Sequence, residues 1–213
     1  TVETLRWNVV KAGTQVGYTN GGITSVNTPI NLNAQRTATA AMLRQRGKQI
    51  TEVVSSSANF RTEPVEAGFV AIHHTDLTND IRNMQGYISV KQYQGQTKLF
   101  PGEHGAVEDV RYCRSVLYTP FAGASGSYGG VTTTMRNTGT YADVYSVLYI
   151  SADAYGIVPL KGSNAMSLIA HNPGSSGTSD PLNQRGTLGW KAASTSIILN
   201  DLWIYRLEVA VTA

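Results

Sequence analysis

The feature that most limits the fold is a short run near the first third of the chain, from Phe69 to Gly86. Phe69-Val70-Ala71-Ile72 is apolar without a break, which at four residues reads as a buried strand rather than a helix. His73-His74-Thr75 breaks the run, and Thr75 is placed to cap a following helix, with Asp76 in its first turn. Leu77, Ile81 and Met84 then recur at helical spacing, and Gly86 closes the unit. A strand and a helix that each need a cover fix a mixed architecture, and the rest of the chain has to supply it.

Upstream, Val2, Leu5, Val9 and Ala12 fall at helical spacing, with Gly13 at a cap position, so the chain reads as opening on the tail of a helix. Gln15 to Tyr18 reads as a short strand before an Asn20-Gly21-Gly22 turn. Asn31 or Asn33 can cap a helix carrying Ala34, Ala38, Ala41 and Met42 on one face, with Gly47 as its stop. Residues 48–66 are polar and without period. Downstream, a short helical stretch is expected at Ser89–Tyr93. The loop 99–105 leads into one strand from Val107 to Tyr118, which alternates Val110, Tyr112, Val116 and Tyr118 against Arg111, Cys113 and Leu117. Tyr141 to Ser151 is apolar on both faces, as a central strand would be. Between these two strands, which are expected to be neighbours, residues 122–140 form a Gly/Ser/Thr-rich loop. A second loop spans 161–188. A strand pair closes the chain, from Trp190 onward and from Leu202 to Val211, with Trp203, Tyr205, Leu207, Val209 and Val211 on one face. The order predicts an α+β fold rather than a doubly wound sheet.

Composition narrows the function. Only 15% of the 213 residues are charged, well below the usual share for a soluble domain, while Gly, Ser and Thr exceed a quarter of the chain. A surface thin in charge and rich in hydroxyls and tyrosine suits contact with neighbours. The net charge of +3 does not by itself argue for nucleic acid, although Arg36, Arg44, Arg46 and Lys48 cluster in or just past one helix. They read as a solvated or interface-facing helix side, with a phosphate-binding face as the alternative. The single cysteine, Cys113, rules out an internal disulfide and reads as a small buried hydrophobe. No apolar run approaches a membrane span.

The motifs of catalysis are missing from the sequence. Gly47-Lys48 has Met42 where a phosphate loop needs glycine, and Gly123-Ala124-Ser125-Gly126-Ser127 ends in serine where a nucleophile elbow needs glycine. His73 and His74 are adjacent and point apart at a strand end. His104 and His171 stand alone, and neither His-x-x-x-His nor Cys-x-x-Cys occurs. No catalytic, cofactor-binding or metal residue is assigned, no cofactor is expected, and the chain reads as a non-enzyme.

Four blocks nevertheless carry a resemblance. Asp180-Pro181-Leu182-Asn183-Gln184-Arg185-Gly186-Thr187-Leu188-Gly189-Trp190-Lys191, followed by Ile198 to Glu208, resembles the C-terminal signature of the N-four-type major capsid proteins of tailed bacteriophages. Gly68 to Asp76 with Asp80-Ile81-Arg82 is similar to that family's strand–turn–helix, with Thr75 in place of its usual proline. Leu99 to Gly105 with Val110-Arg111-Tyr112 resembles the next block, and Leu5-Arg6-Trp7 to Thr14 the tail of its long helix. The resemblance implies a Hong Kong 97-like fold. Residues 1–30 and 180–213 would be peripheral-domain elements, and 31–179 an axial domain with a mobile loop at 122–140. It implies a structural coat protein of the virion capsid, assembled in the host bacterial cytoplasm as hexamers and pentamers. Scaffold or portal proteins are implied partners, packaged DNA would be touched non-specifically at most, and no membrane is involved. The family's N-terminal arm and extended hairpin have no counterpart here, so the chain is expected to be a fragment, monomeric or weakly oligomeric on its own. Trp190, Lys191, Trp203, Arg185, Asp180, Tyr128 and Arg136 are the structural and assembly candidates, with Trp190 and Trp203 anchoring the peripheral sheet. The alternative is a β-rich module of a virion or cell surface that binds carbohydrate or a partner.

Overall fold

A computed structural model describes residues 13, 15–20, 22–50, 67–93, 100–125, 135–159, 166–175, 182, 184–192 and 194–213. The expected helix at the start, most of 48–66, Tyr128 and Asp180 lie outside these residues.

The core element is β6 (Tyr145–Ile150), all six residues of which are buried, as the two-faced apolar run requires. Tyr145, Val147 and Tyr149 face one side, and Leu148 and Ile150 the other. β6 pairs antiparallel with β11 (Ile204–Val209) and with β2 (Phe69–His73). Outside them, β1 (Val16–Tyr18) adds parallel to β11, and β5 (Val110–Arg114) adds parallel to β2. β4 (Glu103–Val107) and β3 (Tyr87–Ser89) complete the far edge, giving the order β1-β11-β6-β2-β5-β4-β3.

One face of this sheet is covered by α1 (Leu32–Arg44) and α2 (Thr78–Arg82). α1 begins where Asn31 Oδ1 accepts the Ala34 N–H at 2.8 Å, and it buries Ala38 and Met42. It ends in a Schellman cap. The Arg46 N–H donates to Leu43 O and the Gly47 N–H to Met42 O, with Arg46 held at φ 58°. Leu77, Ile81 and Met84 of the second helical unit are buried as their spacing predicts. Its cap differs from the expectation. The His74 side chain, rather than Thr75, accepts the Asp76 N–H, and a 3-10 turn over Thr75–Leu77 precedes the helix. Under α1 a buried polar chain is fully paired: Tyr149 and Tyr112 hydroxyls lie 3.1 Å apart, Tyr112 donates to Gln35 Oε1, and Gln35 donates to Val107 O. Burial raises both tyrosines well above their ordinary pKa.

Several expectations are corrected. The single strand Val107–Tyr118 is a hairpin of β4 and β5, turning at Glu108-Asp109. β5 ends at Arg114, so Tyr112 and Tyr118 join different clusters, and Val116 is exposed. β5 and β6 are not neighbours, because β2 lies between them. The loop at 161–188 contains β8 (Met166–His171). Trp203 sits in a 3-10 turn ahead of β11, packed against the cluster of Leu148, Ile150 and Ile204, while Tyr205, Leu207, Val209 and Val211 belong to the opposite face. β1, from the expected segment 1–30, and β11, from 180–213, pair directly into the sheet that also holds β6.

Candidate assembly surfaces

Between β6 and β11 the chain leaves the main sheet and makes two antiparallel ribbons. β7 (Tyr155–Pro159) pairs with β10 (Ser194–Ile198), and β8 pairs with β9 (Thr187–Ala192). Both ribbons therefore use the same two stretches, one leading away and one returning. The register of the outer ribbon places Leu168 opposite Trp190 and Ala170 opposite Leu188, all on one face. Leu168, Leu188 and Trp190 are 71%, 72% and 65% exposed. Ile157, Ile197 and Leu199 are half-exposed on or beside the inner ribbon. Neither ribbon adds to the seven-stranded sheet, so each keeps open strand edges among the described residues. Exposed apolar ribbon of this kind needs a cover.

The base of the segment 122–140 is a second feature. Asp143, 3% exposed, accepts the Gly123 N–H at 2.7 Å, and the Thr138 N–H and hydroxyl at 3.1 and 2.5 Å, tying both ends of the segment to one carboxylate. Arg136 pairs with Asp76 at 2.9 Å, and its N–H donates to Val211 O. Asp76 also accepts the Tyr145 hydroxyl at 2.9 Å. Burial, aided by that bond to Asp76, pushes the Tyr145 hydroxyl up to about 12.

Of the sequence candidates, Trp190, Lys191 and Arg185 lie on the outer ribbon or its approach, all exposed. Lys191, opposite Ser167, falls on the ribbon face away from Trp190. Trp190, 65% exposed, is not buried in a core within this chain, where the sequence expects it to help anchor the sheet. Trp203 alone is half-buried, its indole N–H donating to Gln45 O at 2.9 Å. Arg136 belongs to the anchored base of its segment rather than to a free span.

Two clusters escaped the sequence reading. His104 is not isolated: its Nε2 lies 2.8 Å from His73 Nε2, and its Nδ1 3.0 Å from the Tyr87 hydroxyl. A β-bulge between Glu103 and Gly105 turns His104 toward His73 across β5. The second is an ion pair, Arg111 with Glu103 at 3.0 Å, side chains 5% and 0% exposed. Tyr93 donates to the same carboxylate and stacks under the guanidinium. Residues 31 positions apart in the histidine case leave no spacing signal, and only the strand order joins them. Among the described residues, no group of three or more His, Cys, Asp and Glu is arranged for a metal, and no helix is long and apolar enough to cross a membrane.

No protein-family model and no curated protein matches this sequence. Solved structures do. The capsid of Ralstonia phage GP4 superposes with a TM-score of 0.57 at 10% identity, over 93% of this chain and 52% of that one. The head of Helicobacter pylori bacteriophage KHP40 gives 0.49 at 11% identity, covering 98% and 63%, and the capsid of cyanophage P-SCSP1u gives 0.47 at 13%, covering 99% and 60%. The chain thus has an α+β fold shared with a phage capsid protein. It spans about half the length of the GP4 chain.

Proposed function

We propose that this chain is a structural coat subunit of a tailed-phage capsid, built to lie against copies of itself in a closed shell. The observation that carries this reading is the match to the GP4 capsid fold over nearly the whole chain. The exposed ribbons support it, because Leu168, Leu188 and Trp190 form an apolar face that a neighbouring subunit would cover. The capsid sequence blocks occur in order along the same chain, which favours the N-four type and a Hong Kong 97-like arrangement. In that arrangement the sheet with α1 and α2 serves as the axial body, and the ribbons reach toward the periphery. Copies then meet as pentamers and hexamers in the virion shell, assembled in the bacterial cytoplasm with a scaffold and a portal, and DNA lies inside without sequence-specific contact. Function of this sort needs no catalytic group. The carbohydrate- or partner-binding alternative is not favoured by these structural neighbours.

The test is a pair of charge substitutions, Leu168→Lys and Leu188→Lys, in the full-length protein expressed with its assembly partners. Both sites are exposed, so folding by circular dichroism should be unchanged, while particle yield by light scattering falls at least tenfold. Undiminished particle formation by the double variant would remove the ribbon from the interface.

A further inference from the structure

His73 and His104 are 0% and 7% exposed, and their Nε2 atoms face each other at 2.8 Å, which leaves room for one proton between them. His73 Nδ1 lies 2.6 Å from the His74 carbonyl, which can only accept, so Nδ1 carries the proton. In a neutral ring Nε2 is then bare, and His104 Nε2–H must be the donor. His104 Nδ1 is bare in turn and faces the Tyr87 hydroxyl, whose oxygen is also 2.7 Å from His104 O. Neutral rings satisfy every nitrogen with one set of tautomers. A further proton on His73 Nε2 sets two N–H groups head to head. One on His104 Nδ1 is held only if Tyr87 turns its O–H wholly onto the carbonyl.

The surroundings oppose that charge. Arg114 on β5 and Arg82 on α2 are cations facing the pair, and Glu103 on β4 is the anion beside it, already bonded to Arg111 and Tyr93. His74 adjoins in the turn, and the rings of Tyr87 and Tyr112 pack against the pair. We propose that the His73–His104 pair is an acid-sensitive latch that joins the turn after β2 to the bulge of β4 and releases that turn as the pH falls. The turn carries Asp76, which holds Arg136 and Tyr145, so its release also loosens the base of the segment 122–140. Burial above all, then the neighbouring cations, brings His104 to about 4, and burial brings His73 to about 3, against an ordinary 6.5. Both shifts are downward. The contribution of the neutral pair is therefore whole above about pH 6.5 and declines as the pH falls toward 4 to 3.

Three measurements on the 213-residue chain decide it. Followed by NMR, the two rings should not titrate between pH 7.5 and 5. A midpoint of 6 to 7 for either ring would overturn the proposal. Urea unfolding of the parent should steepen with acid, its unfolding constant near pH 5 rising about tenfold more per pH unit than that of His104→Gln, whose amide keeps the bond but binds no proton. Equal slopes would contradict the latch. Amide exchange on the parent, corrected for intrinsic rate, separates a latch from two merely buried histidines and does not depend on the variant folding. The N–H groups of Ser115 and Leu77, bonded to His73 O and His74 O, should open below pH 5 before those of β6. Opening together with β6 would show global unfolding and sink the proposal.

Discussion

Arg111 and Glu103 show how much rests on single side chains in this sheet. With both heads out of water, the carboxylate accepts from the guanidinium, the Tyr93 hydroxyl and the Phe100 N–H. Arg111→Met would strand the carboxylate and should lower stability by about 3–5 kcal/mol in urea unfolding. The tryptophans should part company. Trp203→Ala loses a half-buried ring and the bond to Gln45 O, at about 2–3 kcal/mol, whereas Trp190→Ala should stay within about 0.5 kcal/mol for the isolated chain. A comparable loss for both would restore Trp190 as an anchor of the sheet, as the sequence suggests. Aromatic content marks a residue as valuable without saying whether its cover is its own chain or another. The histidine pair was hidden for a different reason. His104 reaches His73 only through a bulge and an intervening strand, neither of which leaves a trace in spacing.

Local signals served well for single elements. Asn31, one of the two cap candidates, and the spacing of Ala38 and Met42 mark the start of α1, because cap and periodicity act within one turn. Gly47 marks its far end in the sequence, yet the left-handed position falls on Arg46. Arg46→Gly should therefore raise stability by about 0.5–1 kcal/mol, since glycine adopts that conformation without strain. An unchanged or lower midpoint in urea would mean that the Arg46 side chain contributes more than its backbone strain removes. The β4–β5 hairpin was illegible because its turn has no glycine or Asn-Gly. Glu108 takes φ 49° there while Arg36 of α1, 72 residues earlier in the chain, grips its carboxylate. Pairing order was equally out of reach, as β2 enters between β5 and β6 by a crossover. The base of 122–140 offers a test at this scale. Asp76→Ala removes the partner of Arg136, so trypsin should cut after Arg136 several-fold faster than in the parent. Equal rates would show that Asp143 and the bond to Val211 O hold the base unaided.

Across the whole molecule, the division of labour is between a sheet that satisfies itself and ribbons that do not. The seven-stranded sheet buries Tyr112, Tyr145, Tyr149 and Tyr205, pairs Arg111 with Glu103 and covers a face with two helices. The excursion from β7 to β10 keeps Leu168, Leu188 and Trp190 in water, which for a free protein invites association. A low share of charge and the capsid fold agree with that design at every level of the chain. Cryo-electron microscopy of particles made by the full-length protein tests the coat-subunit reading most directly. A coat subunit gives closed shells or capsomers with five- and six-fold arrays, in which each copy's seven-stranded sheet is resolved and the Leu168–Leu188–Trp190 face is buried against a neighbour. Monomers that form no shell, tube or capsomer with any assembly partner, or shells in which that ribbon face remains open to solvent, would contradict it.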